Sequence, residues 1–285
     1  MSRTSDVIIG MGEIGKGLYK IIDKVDDNLV FGLDLDERNS LVQVSDIENF
    51  VDIAKISVPV TQIKEHTRVL HICIPGELRC FVDIVRMYIK DFGPLLTMIH
   101  STVPVGTTRR VAYGGLPVVH SPVRGKHPKM DEGIRAYTKY VGGLSKYDIK
   151  FAVQVLDSYG LNGMPMGTPE ATEIAKILST TRYGVNLIFA DMQKELLDSM
   201  GLDYTRVVKD WERSYNLGLD KVNMPQYKRP VLDPPNGYIG GHCVYENSKI
   251  LRDMVDGPLR GLLNTIILYG RRNDDTEQNI ENTIC

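Results

Sequence analysis

The sequence has little that would staple, solvate or anchor it: four cysteines, one tryptophan and a net charge of −2 in 285 residues. Cys73, Cys80, Cys243 and Cys285 form no close CxxC pair and show no metal-ligand spacing. Neither a disulfide framework nor a metal site is expected, and reduced thiols are the default. No apolar run approaches the roughly 18 to 20 residues that a membrane span requires. The opening MSRTSDVIIG enters a strand pattern without the apolar core of a secretory leader, so a cytoplasmic location is expected. Charge of neither sign dominates, which argues against nucleic acid or a membrane surface as a partner. Internal repeats and low-complexity tracts are also missing.

What is present is ordinary globular material. Hydrophobic residues make up 42% and charged residues 25% of a chain long enough for two domains. From Asp6 onward, short runs of Val, Ile and Leu alternate with amphipathic stretches: VIIG, a helix over Ile14–Lys24, LVFGLDLD, RVLHICIP, LLTMIHS and PVVHSP. Near-continuous apolar strands separated by helices predict a parallel, doubly wound α/β sheet covered on both faces. This pattern assigns residues 1–164 to a Rossmann domain. Thr168-Pro169-Glu170 then reads as a helix start, with proline at the first helical position, and helical periodicity persists to about Met200. Further helices are expected over Tyr204–Tyr215 and Ser248–Tyr269, around a Pro- and Gly-rich stretch from Met224 to Gly241. Residues 165–285 are thus expected to form a mostly α-helical domain around a long central helix.

Gly10, Gly12 and Gly15 form GMGEIG directly between a strand and a helix, the context that gives a dinucleotide fingerprint its meaning. The first glycine permits the tight turn, the second lets backbone approach a pyrophosphate, and the third allows helix to pack on strand. Glu13 and Ile14 open the helix whose N-terminus faces the phosphate charge. Asp34 ends the second strand about 20 residues on, where a carboxylate accepts ribose hydroxyls and repels a 2′-phosphate. NAD is therefore the expected cofactor rather than NADP, although Arg38 stands nearby.

Six segments in order, GMGEIG, HICIPG, HSTVPVGTT, KYVGG, EIAKILSTTRYGVN and GYIGGHC, resemble the nucleotide-sugar dehydrogenase family typified by UDP-glucose dehydrogenase, within the wider 6-phosphogluconate and β-hydroxyacid dehydrogenase-like superfamily. The resemblance implies that Cys243 of GGHC is the nucleophile of a double oxidation. A first hydride leaves an alcohol, the thiolate captures the aldehyde as a thiohemiacetal, a second hydride leaves, and water releases the acid. Such a thiol needs a helix N-terminus or a cation to ionise, and the helix after Ser248 is expected to supply it; His242 beside it is a candidate tuner. The resemblance makes Lys176 the stabiliser of alkoxide or oxyanion charge, on one helix face with Glu173 and Thr180. It also places Pro75, Ser101 and Thr102 beside the cofactor, with Thr102 near the nicotinamide and catalytic water.

Three positions depart from the family pattern. Thr180 stands where asparagine is expected, Val123 where an acidic residue follows Ser121 by two, and Asn247 where an aspartate follows the cysteine by four. The family's C-terminal domain would begin where this sequence stops, which implies a smaller substrate, a partner chain that completes the pocket, or retained cofactor binding without the double oxidation. The leading expectation is an NAD-dependent oxidoreductase acting on a CH–OH group of a sugar. The alternatives are a two-electron β-hydroxyacid-type dehydrogenase and a non-catalytic NAD-binding protein. Arg124, Lys126, His127 and Lys129 could hold an anionic substrate. The family dimerises through its central helix, and Ile188, Phe189, Met192 and Leu196 are the apolar positions that would serve here.

Overall fold

The computed structural model describes residues 5–25, 29–34, 41–42, 67–125, 129–235, 239 and 242–270. Contacts divide the chain into two compact units, Met1–Lys176 and Ile177–Ile284.

In the first unit the sequence builds β1 (Ser5–Ile9), α1 (Glu13–Ile22), β2 (Leu29–Leu33), β3 (Leu41–Val42), β4 (Thr67–Ile72), α2 (Phe81–Phe92), β5 (Leu96–Ile99), α3 (Thr107–Val111) and β6 (Val118–His120). It continues with α4 (Met130–Ala136), β7 (Lys139–Gly143), α5 (Lys146–Ser158), β8 (Gly163–Gly167) and the start of α6 (Pro169–Ser199). The strands form one sheet in the order β3-β2-β1-β4-β5-β6-β7-β8. Alternation of side chains sends Ile8 of β1 to one core, with Leu18, Val69, Met98 and Val141, and Val7 and Ile9 to the other, with Leu70, Val85 and Ile99. A sheet buried on both faces is the doubly wound arrangement that the apolar runs predict.

The sheet is mixed rather than wholly parallel. β1, β2, β4, β5 and β6 are parallel, but β3 runs against β2 and β7 against β6, with β8 parallel to β7. The strand pattern also did not foretell β7 and β8. KYVGG and GMPMG carry two glycines each and few β-branched residues, so propensity alone does not announce β7, paired on both sides, or β8 at the sheet edge.

The second unit is helical, as expected. α6 runs on to Ser199, within one residue of the expected end. The helix expected over Tyr204–Tyr215 is a π-type turn, Thr205–Asp210, leading into α7 (Trp211–Lys221). The helix expected over Ser248–Tyr269 is two helices, α8 (His242–Arg252) and α9 (Gly257–Gly270), separated at Gly257, whose φ of +69° no continuing helix adopts. Val244, Leu251, Leu263, Ile266 and Ile267 are buried here. The Pro- and Gly-rich stretch contributes one short 3₁₀ turn, Pro225–Tyr227, among its described residues. No helix among the described residues is long and apolar enough to cross a membrane.

One charge pair ties the first strands together. Asp6 on β1 is fully buried, and Arg68 on β4 donates to both its carboxylate oxygens, at 2.6 and 3.1 Å. Burial works to raise the Asp6 carboxyl, but the hydrogen bond and charge of Arg68 outweigh it and hold the group below its ordinary range. Removing the cation leaves a buried charge uncompensated, which costs about 3 to 5 kcal/mol. Arg68→Met is expected to lower unfolding stability by about 3 kcal/mol, since the guanidinium is partly solvated, and the double variant Asp6→Asn with Arg68→Met is expected to recover part of that loss. Urea denaturation of the three proteins checks this; equal stability of Arg68→Met and the parent would refute it.

Candidate functional site

The carboxyl ends of β1, β2, β4 and β5 converge on the glycine turn. Gly10 has φ +93°, and a side chain there would meet the Cys73 carbonyl carbon at 2.8 Å. A Cβ on Gly15 would overlap the Gly10 carbonyl oxygen at 1.9 Å, whereas one on Gly12 would meet nothing within 4 Å. The first and third glycines are therefore demanded by close packing, and the second faces open space. Gly12 caps α1 without a side-chain hydrogen bond, and Glu13 beside it is exposed while Ile14 is half-buried. The backbone N–H groups at the start of this ten-residue helix carry partial positive charge toward that open side.

Asp34 leaves β2 on the same edge, where its Oδ2 accepts the Met11 backbone N–H at 2.5 Å. The turn and the carboxylate are thus fixed to each other, as ribose and phosphate recognition by one dinucleotide requires. A side chain on Gly76 would overlap the Thr102 carbonyl oxygen at 1.9 Å, so the Pro75 and Thr102 loops lie in contact. The buried Ser101 hydroxyl donates to the Ile74 carbonyl at 2.5 Å, which spends it on joining those loops. The structure therefore brings together Gly10, Gly12, Gly15, Asp34, Pro75, Ser101 and Thr102. Arg38, Lys126 and His127 lie outside the described residues, and the remaining loop cations are engaged: Arg124 lies 5.2 Å from the Tyr137 ring centroid and Lys129 pairs with Glu132 at 3.1 Å.

Glu173 is corrected in role. It is fully buried, and its two oxygens accept the backbone N–H groups of Gly106 and Thr108 at 2.6 and 2.8 Å, capping α3. Burial raises this carboxyl despite those bonds. Lys176, one turn later, is half-buried and acts electrostatically on His120 and Lys139. Val123, at the expected acidic position, sits in the hydrophobic core.

In the second unit, Thr180 is half-buried on α6. Cys243 is a free, exposed thiol at the second residue of α8. The helix that was to activate it therefore begins at the cysteine rather than at Ser248. Val244, its neighbour, rests against Gly184, where any Cβ would come within 2.5 Å, so α8 approaches α6 one turn beyond Thr180. Asn247 is buried on the next turn of α8, and its amide nitrogen has no hydrogen-bond partner. The His242 side chain lies outside the described set. Of the cysteines, Cys73 is free, and burial pushes its thiol up to about 12. No cluster suited to a metal occurs among the described residues.

Sequence reasoning passed over a buried polar chain beneath this edge. Lys139, 1% exposed, donates from Nζ to the Ser121 carbonyl and lies 3.1 Å from His100 Nδ1. His100 Nε2 is 2.9 Å from His71 Nδ1, His71 Nε2 is 3.1 Å from the Tyr159 hydroxyl, and that hydroxyl donates to Asp6 at 2.6 Å. A second buried histidine site joins His120 to Thr172 at 2.8 Å and to the Ser101 carbonyl at 3.0 Å. Burial pulls Lys139 down to about 7, His71 to about 4 and His120 to about 3, and lowers His100 as well. The signal available in the sequence was a histidine inside each of three apolar strand runs, RVLHI, LLTMIH and PVVH.

No protein-family profile and no curated protein sequence matches the chain. Solved structures do. A UDP-D-ManNAc dehydrogenase from Pyrococcus horikoshii is similar with a TM-score of 0.69 and 20% identity, over 92% of this chain and 68% of its own. A UDP-glucose dehydrogenase from Pyrobaculum islandicum gives 0.67 and 17%, over 94% and 68%. A Mycobacterium tuberculosis 3-hydroxyisobutyrate dehydrogenase gives 0.64 and 16%, over 93% of each chain. The chain has the Rossmann-type fold that these sugar and hydroxyacid dehydrogenases share.

The three strand histidines carry a pH signature. Each is held neutral in the fold with its affinity for protons below the unfolded value of about 6.5. Between that value and their folded values the unfolded chain binds more protons, so the histidines' contribution to stability is constant above about pH 6.5 and is lost as the pH falls below it. The loss is expected to reach about 2 kcal/mol per histidine at pH 5. Denaturant unfolding at pH 7 and pH 5 measures it, and equal stability at the two pH values would mean the histidines are charged in the fold.

Proposed function

We propose that the chain is an NAD-dependent oxidoreductase that acts on a CH–OH group of a sugar, in the manner of nucleotide-sugar dehydrogenases, with residues 1–164 binding the dinucleotide and residues 165–285 serving substrate binding and dimerisation. The observation that carries this reading is the pairing of an open, uncapped helix N-terminus at Gly12 with Asp34 bonded to the same turn. Those residues fit the cofactor. The N–H groups of α1 would hold the pyrophosphate, Asp34 would accept from the adenosine ribose and disfavour a 2′-phosphate, and Pro75, Ser101 and Thr102 would border the nicotinamide. When bound, NAD supplies the hydride acceptor.

The chain's own groups would supply the rest. Lys176 offers a half-buried ammonium for developing oxyanion charge, worth more there than in water. Cys243 is exposed in the first turn of α8, where the backbone N–H groups favour an anion. Asn247 cannot act as a base as an aspartate would, but its unpartnered amide N–H can hold a water or a carbonyl oxygen. Thr180 offers one hydroxyl for orientation. Phe189, Met192 and Leu196 are exposed on α6 and form the stripe proposed to meet a second copy, while Ile188 is buried and leaves that stripe.

A second reading is a small hydroxyacid that loses two electrons without Cys243, supported by the similarity to the 3-hydroxyisobutyrate dehydrogenase structure.

Calorimetric titration with NAD, followed by UDP-glucose, UDP-glucuronate and simple hydroxyacids, tests the proposal. NAD is expected to bind, and Gly12→Val is expected to abolish that binding while leaving thermal stability nearly unchanged, because the added side chain points into open space. With the active substrate, Lys176→Ala is expected to slow NADH formation at least 100-fold. Two NADH per substrate, reduced to one or none by Cys243→Ser, identifies the double oxidation; one NADH in both proteins identifies the hydroxyacid reading. Absence of NAD binding by the parent would end both.

A further inference from the structure

One face of α7 is occupied by the chain that follows it. Asn216 donates to the Arg229 carbonyl and accepts its backbone N–H, both at 2.9 Å, while Glu212 pairs with Arg229 and Asp220 with Lys228. Glu212, Asn216 and Asp220 are spaced by four and share that face. None of the residues of α7 is buried. Another face carries a groove of about 500 Å³ lined by Trp211, Ser214, Tyr215, Gly218, Leu219 and Val222. Trp211, Tyr215 and Val222 keep 68%, 43% and 60% exposure there.

The spacing of these six residues has a geometric meaning. Trp211, Ser214, Tyr215 and Gly218 stand at i, i+3, i+4 and i+7, and so do Tyr215, Gly218, Leu219 and Val222. Four residues so placed form the hole into which a facing helix inserts one side chain. The groove is two such holes in succession, and its complement is another helix. Along the seam Trp211, Tyr215, Gly218 and Val222 follow at intervals of four, three and four, the repeat of a coiled coil.

We propose that this groove receives the α7 of a second copy of the chain, antiparallel, about a two-fold axis. Three properties of the helix select that occupant. The first is shape. An axis beside Asn216 and Leu217 sets Tyr215 opposite the partner's Gly218 and Trp211 opposite the partner's Val222, and symmetry repeats both contacts. Every layer then joins one aromatic ring to one small residue, which fills the seam evenly. Parallel pairing would set Trp211 against Trp211 and Gly218 against Gly218, one layer overfilled and the other empty. The Arg229 guanidinium lies 3.9 Å from the Tyr215 ring centroid and holds that ring in place before the copies meet.

The second property is charge. The seam residues are uncharged, and α7 has Glu212 in its first turn and Lys221 in its last. Antiparallel pairing brings each acidic beginning beside the partner's basic end and aligns the helix dipoles in the favourable sense. The third is area. At the exposures given, the six residues offer about 500 Å² per copy, so about 1,000 Å² leaves water when two copies meet, the lower bound of a specific interface. That area suits a dimer that forms and parts with concentration. The seam uses no residue of the α6 stripe, and it does not depend on the dehydrogenase reading.

The chain contains one tryptophan, so Trp211 reports on the groove directly. Its emission and its quenching by acrylamide are followed in the full chain from about 1 to about 100 μM, the range in which so small an interface dissociates, with sedimentation velocity on the same samples. As dimer replaces monomer, the emission is expected to shift to the blue and the quenching to fall. A chain that stays monomeric overturns the proposal, and so does a dimer whose tryptophan remains as exposed as in the monomer. A Cβ on Gly218 meets nothing within 4 Å, so Gly218→Lys keeps the fold, which circular dichroism checks. This variant is expected to weaken association at least about tenfold, because the lysine fills the central hole; a blue shift that survives it overturns the pairing. Positions 211 and 222 are about 16 Å apart along one helix and cannot bridge within a copy. Trp211→Cys combined with Val222→Cys is therefore expected to link copies by disulfide above the level of the parent; equal linking by Trp211→Cys alone overturns the antiparallel arrangement. The parent's concentration dependence decides the matter without any variant, and no measurement requires cofactor or substrate.

Discussion

A carboxylate with no exposure to water has to be answered by protons, and much of the first unit is arranged around answering Asp6. Arg68 brings β4 to β1, Tyr159 brings the end of α5, and His71 and His100 extend the line across β4 and β5 to Lys139 on β7. Each of these groups would be expensive to bury alone, because an unmet donor or acceptor in a dry interior keeps its full desolvation cost. Joined in series they satisfy one another, and strands that are far apart in sequence are held in one register by polar contacts that work only at the correct distance.

The upper edge depends on a different constraint, the absence of side chains. Gly10 and Gly15 let strand, turn and helix meet at backbone distance, and Gly12 leaves the helix end uncovered. The two devices meet at Cys73, whose backbone lies against Gly10 and whose thiol is coupled to Lys139. The glycine turn and the buried chain therefore share a wall.

The parts legible in the sequence were those encoded locally. The glycine turn, Asp34, and the start and end of α6 each follow from a few adjacent residues, and all stand where expected. What was not legible is encoded by partners distant in the chain. Glu173 reads as a helix-face residue until Gly106 and Thr108 appear beside it. KYVGG and GMPMG have too little strand character to announce themselves. His71, His100 and His120 look like interruptions of apolar runs, and only the fold shows that they are linked. The break between α8 and α9 falls at Gly257, inside the single helix expected over Ser248–Tyr269. The comparisons with solved structures agree with the fold in outline and leave the chemistry to the residues themselves.

The reversal of β7 has a consequence for where function is sought. In a wholly parallel sheet the groups that meet a ligand follow the last residue of each strand, so a search proceeds along strand ends. Here β7 runs against β6, and its first residue arrives at the edge reached by the last residues of β4, β5 and β6. Lys139 occupies that place by antiparallel pairing. In any protein of this architecture, the opening residue of an inverted strand belongs in the inventory of the working edge.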